Sequence, residues 1–305
     1  MRAMPSTIYV LTGCTAVGKT ELALRWAEAN GAEIVSCDSL LFYRGMDLGT
    51  AKPLKPELAR VSHHLIDVRA VTEAMDISDY VGLARRAVTA IATRGRRVLV
   101  TGGSGFYLKA FFAPVADEIE VPAELRAELQ QRLEREGLGS LVTDLHQLNS
   151  AGLGTLDVQN PRRVCRALER CLVSGRTLAE LKASFAAQPS PFADFEINLC
   201  ELVRERSELD QRIEQRVNQM LAAGLVDEVR GLLAVGLKEN PSAARAIGYR
   251  ETIELIEGRL AANELAGQIA KNTRALVKKQ RTWFKTQLPE HRQVEAANAK
   301  VETLF

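Results

Sequence analysis

The spacing of hydrophobic positions changes period several times along the chain. Residues 7–11 (TIYVL) form a short β-rich run that leads straight into Gly13. Over 20–30 the apolar positions take helical spacing at Leu22, Ala23, Trp26 and Ala27, and Gly31 follows as a stop. A second strand is predicted at 33–37 (EIVSC), ending at Asp38, and a helix over about 77–93, closed by Gly95. A third strand, 97–101 (RVLVT), ends in Gly102 and Gly103. Strands that alternate with helices imply right-handed βαβ units and a parallel sheet. After Phe112 the pattern becomes helical throughout, with helices at 123–136, 138–146 and 162–173. The next strand is predicted at 196–203 (EINLCELV). Beyond it, Leu209, Ile213, Val217 and Leu221 recur at intervals of four and mark an amphipathic helix. The last long helix spans about 264–285.

Composition narrows the class. A chain of 305 residues holds one large domain or a core with a second lobe. Hydrophobic residues make up 46% and charged residues 26%, ordinary for a soluble globular protein. No apolar run approaches the roughly 18–20 residues of a bilayer span, so no membrane partner is expected. Residues 1–6 carry one Arg and run into the first strand, unlike a secretory signal, so a cytoplasmic chain is expected; separately, a monomer is expected. Cys14, Cys37, Cys165, Cys171 and Cys200 form no C-x-x-C pair and read as core thiols. His63 and His64 have no companion at metal-ligand spacing, which speaks against zinc. The net charge of +2 does not announce a polyanionic partner, but charge is locally concentrated. Residues 271–285 hold six basic side chains and no acidic one, and 162–176 hold five Arg and one Glu. Such runs can neutralise phosphates; the alternative for either is a solvated helix face.

The sequence from Gly13 to Thr20, GCTAVGKT, matches G-x-x-x-x-G-K-[ST] in full, after a strand and before a helix. In such a loop Gly13, Thr15, Ala16, Val17 and Gly18 wrap backbone N–H groups around phosphate oxygens. Lys19 adds a point charge, the helix N-terminus adds positive potential, and the Thr20 hydroxyl is placed to meet Mg²⁺. The motif specifies a diphosphate or a triphosphate, without specifying ATP. Asp38 follows the second strand, at the edge where open parallel sheets bind ligands; a helix cap or an outer Mg²⁺ partner is the competing role. Thr101-Gly102-Gly103-Ser104-Gly105 follows the third strand, where paired glycines allow close backbone approach or simply a tight turn. The expected fold class is therefore α/β. A P-loop core with a parallel sheet flanked by helices spans 1–113 and 200–305, and an inserted all-helical lobe spans 114–199.

Together these segments resemble the tRNA dimethylallyltransferases, also called tRNA isopentenyltransferases, in their bacterial form. The resemblance covers nearly the whole chain. Its markers include GCTAVGKT at 13–20, DSLLFYRGMDLGTAKP at 38–53, HHLIDV at 63–68 and TGGSGFYLKA at 101–110. Further markers are RRVCRALE at 162–169, RIEQRVNQMLAAGLVDEV at 212–229, RAIGYRE at 245–251 and KKQRTWF at 278–284. Two positions depart from the common pattern. Ser104 stands where Thr is usual, which keeps the hydroxyl with one methyl less to fix its rotamer. Leu41 stands where many members have Gln, which removes a side-chain amide contact to the base. The zinc finger of the eukaryotic relatives is absent, in line with the missing Cys/His spacing.

The resemblance implies transfer of a dimethylallyl group from dimethylallyl diphosphate to the exocyclic amine of the adenosine 3′-adjacent to the anticodon, giving N6-isopentenyladenosine. The loop at 13–20 would grip the diphosphate, with Mg²⁺ at Thr20. Asp38 would accept the proton of the amine, and Ser104 would position the amine or the leaving diphosphate. Lys19 and an Arg, assigned to Arg212, would stabilise the leaving group. A base within a stacked loop must be flipped out to reach such a site. The implied contacts to the tRNA anticodon stem-loop are Asp38, Ser39, Leu40, Leu41 and Ser104, with Arg126, Arg162, Arg163 and Arg166 in the helical lobe. Further along they are Arg245, Gly248, Tyr249 and Arg250, then Lys278, Lys279, Arg281, Trp283 and Lys285. The plain alternatives are a turn at 245–250 and a core role for Trp283. Two other functions share the loop: a nucleoside or small-molecule kinase, and a nucleic-acid-binding NTPase. The third strand ends in Thr101-Gly102-Gly103 and not in an acidic residue, which counts against the NTPase.

Overall fold

A computed structural model describes residues 6–117 and 119–305. Residues 1–5, expected to lead into the first strand, and Glu118, in the expected insertion, lie outside the described residues. Two compact units form, Met1–Val115 with Ser190–Phe305, and Ala116–Pro189.

The first unit begins with β1 (Thr7–Gly13), α1 (Lys19–Asn30), β2 (Ala32–Ser36), α2 (Lys55–Arg60) and β3 (His63–His64). It continues with α3 (Ile77–Thr93), β4 (Arg97–Thr101) and α4 (Gly105–Lys109). The second unit holds α5 (Ala123–Glu136), α6 (Leu138–Leu148), α7 (Pro161–Ser174) and α8 (Leu178–Ala186), and its described residues contribute no strand. The chain then returns to the first unit through β5 (Glu196–Val203), α9 (Arg206–Ala222), α10 (Leu225–Ala234), α11 (Pro241–Ala244), α12 (Tyr249–Ile256), α13 (Leu265–Gln287) and β6 (Arg292–Glu295).

The unit boundaries fall at 115/116 and 189/190, not at the expected 113/114 and 199/200. The larger shift has a physical cause. β5 pairs with β1 from Glu196 onward, and the fully buried Phe192 stacks on Phe111 with ring centroids 4.3 Å apart. The chain has rejoined the core well before residue 200.

The strands form one six-stranded sheet in the order β3-β2-β4-β1-β5-β6, and each pair is parallel. The central strands lie inside on both faces, which is why they read as continuous apolar runs. All five residues of β2 are buried. α1 packs through Leu22, Ala23, Leu24, Trp26 and Ala27, and Trp26 meets Tyr9 and Phe305 at centroid distances of 4.8 and 5.0 Å. Because the strands run parallel, Gly13, Ser36, Thr101 and Val203 end at one edge of the sheet. The loops that follow them are brought together there.

The second unit has its own core of Leu129, Leu141, Leu145, Val164, Ala167, Leu168 and Cys171. Asn149 is buried within it, donating to Leu145 O at 2.8 Å and accepting the Leu178 N–H at 2.6 Å.

Candidate active site

The loop after β1 is fixed by close backbone contacts. Gly13 has φ 145°, and a Cβ there would lie 2.5 Å from Leu202 O on β5. Only glycine fits. Gly18, with φ 109°, opens α1 from the left-handed region. Ala16 also has positive φ, 64°, a costly conformation for a residue with a side chain. Arg212 Nε holds it by donating to Ala16 O at 2.7 Å, and Arg204 Nε donates to the next carbonyl, Val17 O, at 3.1 Å. The Lys19 ammonium turns inward and donates to Gly13 O at 2.7 Å and Cys14 O at 2.9 Å. Burial lowers Lys19 from 10.5 to about 8, against the opposing pull of Cys14 and Asp38. Thr20 stays exposed at the start of the helix and lines the crevice described below.

Across from this loop stand the segments after β2 and β4. A Cβ on Gly102 would lie 2.0 Å from Cys37 O, so the two backbones touch. The Ser104 N–H donates to Cys37 O at 3.4 Å. The Ser104 hydroxyl accepts the Ser39 N–H at 3.0 Å and donates to Ser39 Oγ at 3.2 Å. Asp38 Oδ1 accepts the Leu40 N–H at 3.0 Å. Ser104 thus fixes the backbone one residue past Asp38. Arg216 Nη2 donates to Thr50 O at 3.0 Å. Burial lowers the Arg216 pKa, Asp38 opposes that shift, and Arg212 adds to it.

These groups line one crevice of 1460 Å³ within the first unit. Of the predicted phosphate-binding residues it exposes Ala16, Gly18, Lys19 and Thr20, while Gly13 and Val17 shape the loop from behind; Thr15 also lines it, but contrary to expectation its N–H is already taken by Gln280 Oε1 at 2.9 Å. Asp38, Ser39, Leu40, Leu41, Ser104 and Arg212 also line it, as do Lys279 and Trp283 from α13. Trp283 packs on Gly105, where a Cβ would lie 2.5 Å from the indole. Cations and free backbone donors therefore share the crevice with the Asp38 carboxylate. Such a site attracts an anion and keeps a proton acceptor beside it.

Other predicted contacts lie elsewhere. Lys278, Arg281 and Lys285 are exposed on α13 without lining the crevice. Arg126 on α5 and Arg162 and Arg163 on α7 are exposed in the second unit, and Arg166 pairs with Glu169 at 3.1 Å. Arg245 is exposed, and Arg250 pairs with the buried Glu251 at 2.5 Å. Two expectations need correction. Tyr249 is fully buried and Gly248 is buried, so neither offers a surface for direct RNA contact. Gly248 has φ 93°, and its N–H donates to Glu251 Oε2 at 2.7 Å. Both build the turn from inside.

Sequence reasoning missed several residues that the fold places here. Arg204 and Arg216 line the crevice beside Arg212. The recurrence of Arg at 212 and 216, one turn apart on α9, was the signal that could have found Arg216. Lys52 is buried and donates to Tyr43 O at 2.9 Å, Asp47 at 2.6 Å and Asp67 at 2.5 Å, clamping the segment 38–53. Gln280 Oε1 accepts the Thr15 N–H. Among the described residues no group of three or more His, Cys, Asp or Glu is placed to hold a metal ion. No helix among them is long and apolar enough to cross a membrane.

A family model described as IPP transferase matches residues 41–287. A tRNA dimethylallyltransferase of Opitutus terrae is 69% identical over 288 residues, covering 94% of this chain and 92% of that protein. A tRNA dimethylallyltransferase 1 of Trichlorobacter lovleyi is 38% identical over 284 residues, covering 93% and 92%. Among solved structures, a full-length tRNA isopentenylpyrophosphate transferase from Bacillus halodurans matches with TM-score 0.68 at 30% identity, covering 96% of this chain and 90% of that one. A eukaryotic dimethylallyltransferase acting on tRNA shares the fold, with TM-score 0.80 at 21% identity, covering 98% of this chain and 76% of that one.

Proposed function

We propose that this chain, which belongs to the IPP transferase family, transfers a dimethylallyl group from dimethylallyl diphosphate to tRNA. The acceptor in this reading is the exocyclic amine of the adenosine 3′-adjacent to the anticodon, and the product is N6-isopentenyladenosine. The observation that carries it is the pairing, in one crevice, of the loop 13–20 with the Asp38 carboxylate on the opposite lip. The amine acceptor needs a proton acceptor such as Asp38, and the prenyl chain of an allylic donor needs an apolar wall. Met220, Ile247, Leu276 and Trp283 supply that wall for the short branched chain.

The donor diphosphate occupies the N–H groups at the start of α1 with Lys19 beside it. Arg212 and Arg204 hold the loop through the Ala16 and Val17 carbonyls, and Arg216 adds positive charge near Asp38. The amine nitrogen attacks the allylic carbon, a C–N bond forms, and the C–O bond to diphosphate breaks with its electron pair. Asp38 accepts the proton released from the amine and passes it to solvent. Ser104 holds Ser39 and so aims Asp38. The Thr20 hydroxyl, exposed at the crevice, would hold Mg²⁺ together with oxygens of the bound diphosphate, an all-oxygen donor set that suits that ion. The ion would neutralise charge on the leaving diphosphate. The exposed basic side chains of α13 and α7 supply phosphate contacts to the anticodon stem-loop.

The test is incubation of the chain with dimethylallyl diphosphate and unmodified tRNA, then nucleoside digestion and mass spectrometry. Parallel incubations contain ATP and nucleosides. Isopentenyladenosine in the first supports the reading, and phosphorylated nucleoside in the second with no prenylated product overturns it.

A further inference from the structure

The Gln280 carboxamide joins the two loops that face each other across the crevice. Its Oε1 accepts the Thr15 N–H at 2.9 Å, and its Nε2 donates to Gly103 O at 2.9 Å. These partners fix its orientation, because a flipped amide would set donor against donor and oxygen against oxygen. The space is reserved for it: a Cβ on Gly103 would lie 2.8 Å from Nε2.

The consequence is an uneven supply of donors along the loop. Among the described residues, the Ala16 and Gly18 N–H groups meet no protein acceptor. Lys19 and Thr20 open α1, where first-turn N–H groups lack helical partners. These donors are free to hold a phosphate at the helix N-terminus. The Thr15 N–H, further back along the loop, is already taken. A diphosphate is held by the helix end and Lys19. A third phosphate would have to reach back toward Thr15, where it meets the Gln280 carbonyl oxygen, acceptor against acceptor.

We propose that Gln280 is a specificity-determining residue that limits this loop to a diphosphate and excludes a triphosphate. The inference rests on the reading of the loop as the anion site, and is independent of transfer to tRNA.

The experiment is isothermal titration of the full chain with pyrophosphate and with tripolyphosphate at fixed free Mg²⁺. The wild type should prefer pyrophosphate. Gln280→Ala frees the Thr15 donor and should raise tripolyphosphate affinity relative to pyrophosphate by about two- to tenfold, the range of one neutral hydrogen bond. Gln280→Glu keeps an acceptor on Thr15, so it should bind both anions more weakly and keep the preference. An unchanged ratio in a Gln280→Ala protein that still binds pyrophosphate overturns the proposal. Loss of the preference in Gln280→Glu does the same, and decides the matter if Gln280→Ala does not fold. A wild type that binds both equally, or neither, also overturns it. Failure of prenyl transfer with the anion preference intact removes the proposed reaction and leaves the role of Gln280 standing.

Discussion

The Tyr249 hydroxyl donates to Glu228 at 2.7 Å, and the same carboxylate accepts the N–H groups of Leu48 at 2.7 Å, Asp47 at 3.2 Å and Gly49 at 3.3 Å. The Tyr249 ring lies directly on Gly49, where a Cβ would sit 2.4 Å from it. One buried phenol and one carboxylate thus lock the segment 245–251 to the segment 38–53. Burial, with Glu228 second, raises the Tyr249 pKa well above its ordinary value, so the phenol remains a donor. Glu228→Gln replaces one acceptor oxygen by an NH₂ that must face donors. It should lower unfolding free energy by about 2–3 kcal/mol, as expected when charge-assisted bonds are removed and a donor is left unsatisfied. Tyr249→Phe removes a single bond and should cost about 1–2 kcal/mol. Urea denaturation measures both, and a Glu228→Gln protein as stable as wild type would remove the lock.

Asp38→Ala should lose turnover far more than affinity. A carboxylate that accepts a proton during attack acts mainly in the transition state, and such assistance is typically worth about 10²–10⁴-fold. Lys19→Ala and Thr20→Ala should instead impair both diphosphate binding and turnover, since their contacts exist before reaction. The measurement is kcat and KM for tRNA and for dimethylallyl diphosphate in each variant. An Asp38→Ala enzyme with raised KM for tRNA and intact kcat would make Asp38 a recognition residue only.

The parts of the fold legible in sequence are those with strong local signals. β1, β2 and β4 are largely buried apolar runs that lead into Gly13, Asp38 and Gly102, α1 and α3 carry helical spacing closed by Gly31 and Gly95, and α13 is one long helical run. β3 and β6 left no such trace. His63–His64 is two residues long, and Arg292–Glu295 (RQVE) is a polar edge strand held by pairing with β5 and by His291 Nε2 3.0 Å from Glu201. Motifs singled out Asp38, Ser104 and the loop 13–20, which the fold brings to one crevice, and at Gly13 and Gly102 close backbone contacts restrict the residue type. The motifs did not locate Lys52, Glu228 or Gln280, whose roles come from contacts across 5–15, 21–181 and 177–265 residues of chain. Tyr249 was misplaced for the same reason: its neighbours in sequence are basic, while its neighbours in space are Gly49 and Glu228.

The basic helix of the second unit offers a separate test. Arg162 and Arg163 are exposed, and Arg163 has only a loose pairing with Asp157 at 3.7 Å. Replacing both by Ala should weaken tRNA binding and flatten its dependence on log salt by about 0.7–0.9 for each phosphate no longer neutralised. Binding of dimethylallyl diphosphate should not change. An unaltered salt slope in the double variant would make this a solvated face that does not touch RNA.

Lys19 gives a pH prediction whose sign can be worked out. Its folded-state pKa is lowered by burial from 10.5 to about 8 in the free protein. The unfolded chain therefore binds more protons than the folded one between about pH 8 and 10.5, and this group alone makes stability rise with pH across that window. Ligand binding runs the opposite way. A diphosphate against the ammonium favours the charged form, so above pH 8 the site must take up a proton as the anion binds. Affinity for dimethylallyl diphosphate should be flat below that point and should fall above it, by at most about tenfold per pH unit. Titration calorimetry at pH 9 in two buffers of different ionisation heat should reveal uptake approaching one proton. In Lys19→Arg the guanidinium stays charged throughout, so the uptake and the inflection should both vanish, whatever its absolute affinity. No proton uptake by the wild type at pH 9 would mean that Lys19 stays charged without ligand, and that the two carbonyls it contacts outweigh its burial.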